Sequence, residues 1–418
     1  MSTTKTTVDC DILIVGAGIA GSALACALRN RGYKIIQVEM SNRPLDTARG
    51  DHLQCAVVET LDQWGALPAF WAAGAEKRHA ARYVTSDGEL ILDIDYRKLP
   101  VPHPYYMYLH HDLLAETFLN VAAEGMTYTL FKPARARDFD VGPEGIQSLT
   151  IKLAEDTPAP AGFKSGQTVV IKPKLVVGAD GRSSRVREVL DFSAEQHEYE
   201  NPIVLHFAPR LSADEDPLNQ VTSFFGPKGS ISRIPRAFNH WKVGVTIAKS
   251  EISFWKNATA TERKAAIAGY APALGELDLS LGGFYPVKLL NTHRWVKGNT
   301  VLVGDACHAM HPARGQGMNV SIRCLSKLLP LLPDAKDLGR ADLVTRQLET
   351  YEQTVKPGID EFLAANHAVG EDRDTLDPSV AAKTVASLRE IQNDPARHQD
   401  YCIAAAGYAG PLDQLRMS

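Results

Sequence analysis

The sequence predicts an α/β protein: a discontinuous Rossmann-like domain, an inserted and mostly antiparallel sheet, and a C-terminal helical segment. Three observations predict it. The apolar run DILIV at residues 11 to 15 passes without pause into GAGIAGSALACALRNRG, which has helical spacing. Two later runs, VGADGRSSRVR at 177 to 187 and GDACHAMHPARGQGMN at 304 to 319, again follow apolar strands with small-residue turns. Between and after them the pattern changes, to short alternating strands over 203 to 249 and to helical periodicity beyond 340.

In the first unit Gly16 permits a tight turn, Gly18 allows backbone to approach a pyrophosphate, and Gly21 lets the helix pack closely on the strand. Ala17 and Ala20 complete the turn, and the helix N-terminus offers unpaired N–H groups and a positive dipole end to phosphate. A second strand, YKIIQVE, ends at Glu39, 18 positions beyond Gly21, where a carboxylate accepts hydrogen bonds from ribose hydroxyls. This unit reads as dinucleotide-binding and does not separate FAD from NAD.

The later segments separate them. The turn with Asp180 and Gly181, followed by Ser184 and Arg187, resembles the DG motif of the class A flavoprotein monooxygenases of the para-hydroxybenzoate hydroxylase type. The run with Gly304, Asp305, Pro312, Gly315, Gly317, Met318 and Asn319 is similar to that family's GD motif. The resemblance implies that Asp305 binds the ribitol of FAD, that the backbone at Gly317, Met318 and Asn319 faces the flavin N1–C2=O edge, and that Pro312 and Gly315 hold the flavin-facing loop. It also places Asp180 near the FAD pyrophosphate.

Two more stretches extend the resemblance. In ARGDHLQCAVVETLDQWGAL, Arg49 is expected against the FAD diphosphate, and the RGDxLQ wording resembles the ubiquinone-pathway, quinolone and squalene oxygenase branches. His311, Pro312 and Arg323 also fit the ubiquinone-pathway branch. In YMYLHHDLLAETFL a side chain near His111 is expected to touch the cofactor. Cys324 stands where the family usually carries Asp, so a looser helix or a different neighbour is expected there.

The flavin motifs divide the chain into an FAD-binding domain of 1–80, 108–195 and 291–340, a substrate-binding domain of 81–107 and 196–290, and a C-terminal helical region of 341–418. Residues 82 to 95 predict a hairpin around Asp87 and Gly88, and IVLHFAP, VTSFFG, SISRIP and HWKVGVTIA predict further strands. Pro357 is expected to break or kink the helix that starts near 341.

The family resemblance implies that NADH or NADPH acts as a transient electron donor, that dioxygen reacts as a flavin C4a-hydroperoxide, and that an aromatic or heteroaromatic small molecule is hydroxylated. Amine N-hydroxylation or epoxidation on the same scaffold, with or without a separate reductase, stays open. So do a flavin-dependent halogenase or reductase and a noncatalytic flavin redox sensor, although the halogenase GWxWxIP signature is absent. Candidate substrate contacts are Arg233, Arg236, His206 and His240, on strands of the covering sheet. Either arginine could instead pair with a protein carboxylate.

Composition excludes other classes. The 418 residues are 44% hydrophobic and 22% charged, with a formal net charge of −4, so there is no basic field for nucleic acid. Six scattered cysteines without a CxxC pair suit a reducing compartment, and no apolar stretch reads as a signal peptide or a transmembrane segment, so a cytoplasmic protein is expected. His308 and His311 lie three apart inside the GD run without other clustered ligands, so no metal is expected. Nothing in the sequence speaks to the oligomeric state.

Overall fold

The computed structural model describes residues 5–42, 50–210, 216 and 218–409, apart from the side chain of Arg314. Arg49, the expected diphosphate contact, lies outside the described residues.

The β-branched and aliphatic run Thr6–Val15 forms the middle of a mixed sheet whose order is Val296–Lys297, Thr300–Leu302, Thr168–Gly178, Thr6–Val15, Ile35–Val38, Tyr128–Phe131. The last five of these run parallel. Parallel strands are covered on both faces, which is why Ile12, Leu13, Ile14, Ile35, Ile36 and Val176 are all buried without alternation. The strand pair Ala134–Gly142 and Gly145–Leu153 extends this sheet antiparallel to Thr168–Gly178.

A second sheet of seven strands runs Ser280–Tyr285, Ile203–Pro209, His240–Thr246, Gly229–Arg236, Val221–Gly226, Ala80–Thr85, Leu90–Asp95. Every pairing is antiparallel except Val221–Gly226 with Ala80–Thr85. One face packs Val204, Ile231, Trp241 and Val243 on Trp255, Ile267 and Leu274, which closes a separate apolar core. The other face lines a cavity that also borders residues 50–52, 312–313 and 315–316.

The helix predicted after residue 340 runs from Ala341 to Asp374 with Pro357 inside it, so of the expected break or kink the break does not occur. Its buried stripe continues through the proline, with Val344, Leu348, Tyr351 and Val355 before it and Ile359 and Leu363 after it. Packing of that stripe on the core offsets the lost N–H bond, whose cost is about 3 kcal/mol. Two further helices, Pro378–Asn393 and Pro395–Ala405, lie against the strand Leu90–Asp95 through Leu388, Cys402 and Ala406. No helix among the described residues is long and apolar enough to cross a membrane.

Candidate functional site

The three glycine-bearing motifs start at the C-terminal ends of three adjacent parallel strands. Val15 pairs with Gly178 and Gly178 with Leu302, so Gly16, Asp180 and Gly304 emerge side by side from one edge of the sheet. Ala179 N–H donates to Val15 O at 2.8 Å and Val303 N–H to Gly178 O at 2.9 Å, which locks that edge. Ligands of open α/β sheets bind at this edge.

Gly16 has φ +108°, and a Cβ there would lie 2.3 Å from Ala179 O, so no other residue fits. A Cβ on Gly18 meets nothing within 4 Å, which leaves open space beside the first turn of the helix Ile19–Leu28. That helix and the helix Gly317–Leu328 both start without a side-chain cap, so neither helix N-terminus is covered by a polar side chain of its own N-cap residue. Glu39 accepts from Ala17 N–H at 2.8 Å and from Ser41 N–H at 2.7 Å, which fixes a carboxylate beside the glycine turn. Asp305 accepts from Arg182 Nε at 3.2 Å and stays partly exposed. Open space beside Gly18, two helix starts without a side-chain cap, and the carboxylates of Glu39 and Asp305 beside them fit FAD.

Asp180 lies beside the glycine turn, its Cα 2.9 Å from where a Cβ on Gly16 would stand, and its carboxylate is engaged by the protein. Its Oδ2 accepts from the N–H groups of Arg185 at 2.7 Å and Val186 at 3.1 Å, and its Oδ1 from the Ser184 hydroxyl, so it caps the helix Arg185–Val189. Burial nevertheless raises its carboxyl above the usual range. Asn319 likewise spends its side chain on the protein: Oδ1 accepts from Gln54 N–H at 2.8 Å, and Nδ2 donates to Gly315 O at 3.0 Å and His52 O at 3.3 Å. It thereby ties the GD loop to the RGDxLQ segment. His111 hydrogen-bonds Gly50 O at 2.7 Å through Nδ1 and anchors the same segment. Cys324, in place of the usual Asp, is buried in an intact helix and hydrogen-bonds Tyr351 of the long helix.

The cavity, about 430 Å³, lies between the glycine loop and the second sheet. Pro312, Gly315 and Gln316 line one end. The sheet supplies Leu205, Ser232, Ile234, Lys242 and Gly244, and Tyr83 and Tyr96 close the side together with Tyr401 and Ala405 of the C-terminal helix. Rings stack along it: His52 lies on Tyr106 at 5.6 Å and Tyr106 on Tyr96 at 4.4 Å, with interplanar angles of 23° and 22°. The Tyr106 hydroxyl donates to Ala405 O, which draws the C-terminal helix over the cavity.

The four residues expected at the substrate are not among those that line the cavity. Strand alternation that turns Leu205, Ser232 and Ile234 toward the cavity turns His206 and Arg233 away. His206 is fully buried against Trp255, and desolvation pushes its pKa down to about 4. The Arg233 guanidinium lies 4.5 Å over the Trp241 ring. His240 is exposed at the strand end, with Nδ1 2.8 Å from Phe238 O. Arg236 is buried and donates from Nε to Asp51 Oδ2 at 3.0 Å, the protein-carboxylate alternative. Burial opposes the charge on Asp51, yet Lys242, Arg78, Arg236 and His52 together outweigh it and hold the carboxyl at about 2. Asp51, Arg78 and Lys242 line the cavity and were not singled out by sequence; the RGDxLQ wording contains Asp51 but not its partners.

His308 and His311 do not share a site. His308 packs on Trp295, and His311 lies edge-on to Tyr199. Desolvation by burial pushes their pKa values down to about 4 and about 3, so both are neutral. Among the described residues one trio of potential ligand atoms lies within 4.8 Å of one another, His197, His367 and Glu371. It sits on the outside of the long helix, where His197 Nε2 pairs with Glu371 at 3.0 Å and His367 Nδ1 with the Tyr199 hydroxyl at 2.8 Å.

Fold and site together define a flavin-dependent oxidoreductase of the two-sheet type. The FAD binding domain family model matches residues 9–361, and the chain belongs to this family. It is similar to the ubiquinone hydroxylase UbiL of Rhodospirillum rubrum, at 26% identity over 97% of this chain and 88% of that one. It is also similar to the 3-demethoxyubiquinol 3-hydroxylase of Escherichia coli, at 25% identity over 85% of this chain and 89% of the relative. Among solved structures, the p-nitrophenol 4-monooxygenase PnpA of Pseudomonas putida DLL-E4 shares the fold with a TM-score of 0.76 at 16% identity, over 99% of this chain and 100% of that one. The protein is an FAD-dependent monooxygenase.

Proposed function

We propose that this enzyme hydroxylates an aromatic small molecule, with NADPH or NADH as transient donor and dioxygen as oxidant. The single observation that carries the reading is the stack His52, Tyr106, Tyr96 along a cavity that ends at the glycine loop. Flat rings gain most from offset stacking and from burial between apolar walls. The ubiquinone, ubiquinol and phenol substrates in the names of the relatives support the same substrate class.

Bound FAD would take reducing equivalents from the nicotinamide donor and activate dioxygen. The chain's own residues do the rest. Gly16, Ala17, Gly18, Ala20 and Gly21 would carry the pyrophosphate on the helix end, Glu39 the adenosine ribose and Asp305 the ribitol. The N–H groups of Gly317, Met318 and Asn319 would face the ring edge where negative charge develops. Pro312 and Gly315 would close the reacting face. The apolar walls and the C-terminal helix exclude water from it.

The test is an anaerobic titration of the FAD-loaded protein with NADPH and NADH, followed by aerobic turnover with an aromatic panel. Bleaching by a donor and one hydroxylated product per nicotinamide oxidised support the reading. A flavin that neither donor reduces, with or without aromatics, overturns it in favour of a partner-reduced enzyme or a redox sensor.

A further inference from the structure

Away from the cavity, on the outer side of the long helix, two imidazoles turn ring nitrogens toward one carboxylate oxygen. His367 and Glu371 are four residues apart on the helix Ala341–Asp374, so one turn sets them on the same face. His197 comes to them from the strand Ala194–Glu198. His197 Nε2 lies 3.0 Å and His367 Nδ1 3.9 Å from Glu371 Oε1, and one ligand atom from each residue lies within 4.8 Å of the others. The imidazole centroids are 4.7 Å apart with the rings at 61°. Ligands about 2.0–2.2 Å from one tetrahedral ion stand about 3.3 Å from one another, so closure around an ion asks for shifts of about 1 Å at each ligand.

The frame that carries the three is fixed on both sides. The strand Ala194–Glu198 pairs along its length with Lys288–Thr292, which in turn pairs with His308–Ala309. Just beyond the strand, Asp374 at the end of the helix accepts from the N–H groups of Glu200 at 2.9 Å and Asn201 at 2.8 Å, which holds strand and helix in register. Tyr199 lies between them, with its hydroxyl 2.8 Å from His367 Nδ1, and holds that ring in place until a metal takes the nitrogen. A Cβ on Gly370 would lie 2.6 Å from the Tyr199 hydroxyl oxygen. Glycine inside a helix is unfavourable, and here it makes room for the ring that positions His367. The side chains of His197, His367 and Glu371 are 41%, 37% and 51% exposed, so an ion enters from water and keeps water on its open side.

Two imidazole nitrogens and a carboxylate are a donor set for zinc-class ions, whereas calcium and magnesium take oxygen ligands. We propose that His197, His367 and Glu371 bind a zinc-class divalent cation, with water in the remaining position, and that the ion clips the strand Ala194–Glu198 to the long helix. The site is separate from the cavity and does not depend on the aromatic-hydroxylase reading. Its consequence for the enzyme runs through Asn366, the residue before His367, which holds the His311 backbone ahead of the Pro312 loop. A clipped helix keeps that clamp in place, so the ion acts as a structural brace for the flavin-facing loop.

The test is calorimetric titration of untagged, EDTA-treated, FAD-loaded protein with Zn2+, with Co2+ absorption as a second reading. One equivalent of Zn2+ is expected to bind with a Kd of about 10 µM or tighter. Co2+ should give the visible band of a four-coordinate site, and Ca2+ or Mg2+ at about 1 mM should not compete. His197→Gln, His367→Gln and Glu371→Gln should each weaken Zn2+ at least about tenfold. His240→Gln, at an exposed histidine elsewhere, should leave it unchanged. Retained FAD absorbance shows that each variant, altered at a partly exposed position, is folded. Zn2+ should also tighten FAD about fivefold in the parent and not in His367→Gln. No binding near one equivalent, affinity that survives unchanged in any of the three variants, or displacement by Ca2+ overturns the site. Binding with unchanged FAD affinity overturns the brace.

Discussion

Asn366 holds the backbone of His311 from both sides: its Oδ1 accepts the His311 N–H at 2.8 Å and its Nδ2 donates to the His311 carbonyl at 3.1 Å. The long C-terminal helix thus fixes the residue that precedes Pro312, where the glycine loop begins. Asn366→Leu removes both bonds and strands a buried amide and a buried carbonyl, at a cost of about 2 kcal/mol. Urea unfolding is expected to show that loss, and flavin fluorescence to show FAD released at least about tenfold more readily. Unchanged FAD retention would mean that the loop holds its shape without the clamp.

Gly16 and Gly18 separate a folding requirement from a binding requirement. A Cβ at Gly16 would strike Ala179 O at 2.3 Å in a backbone of φ +108°, so Gly16→Ala is expected to lower the melting temperature even without FAD. A Cβ at Gly18 touches nothing, so Gly18→Ala is expected to melt like the parent apoprotein yet bind FAD at least about tenfold more weakly. Equal FAD affinity in Gly18→Ala and the parent would place the pyrophosphate elsewhere.

The glycine units were legible because each motif couples a strand end, a turn and a helix start, and parallel pairing then brings three distant motifs to one edge. The substrate side was not. Both faces of the second sheet are covered, one by the cavity and one by Trp255 and Ile267, so alternation alone does not say whether Leu205 or His206 faces the ligand. Arg78, Arg236 and Lys242 lie 27, 185 and 191 positions from Asp51, and no local pattern announces a cluster assembled over such separations. The same holds for Tyr401 and Ala405, which reach the cavity only because the last helix folds back onto Tyr106. At Pro357 the local signal for a break is overruled by a buried stripe that continues on both sides of it.

Three buried histidines are expected to weaken the fold in acid. Desolvation lowers His206 and His308 to about 4 and His311 to about 3, against 6.5 for an exposed imidazole. The unfolded chain therefore binds more protons than the native one as pH falls below 6.5, and stability, fully present above that value, is lost on the way down to about 4 for His206 and His308 and to about 3 for His311. Denaturant unfolding at pH 7.0 and at about pH 5 should show this decline. His206 has both ring nitrogens buried without a partner, so His206→Leu is expected to stabilise by about 1 kcal/mol and to flatten part of the slope. Its kcat and KM should not change, because the side chain faces Trp255 and not the cavity.

Asp51 acts in a lower and separate window. Its folded pKa of about 2, below the ordinary 3.8, means that its contribution is present above 3.8 and disappears as pH falls toward 2. At neutral pH the larger effect is the field it neutralises. Asp51→Asn would leave Arg236, Lys242 and Arg78 buried without their shared counter-ion, which costs about 3 kcal/mol. The loss should be relieved by removing a cation: the double variant Asp51→Asn with Lys242→Met is expected to recover at least about half of it, since fewer like charges then face one another. A double-mutant cycle in urea measures the coupling directly. Additive losses would show that Lys242 draws its stability from packing along its stem and not from the Asp51 carboxylate.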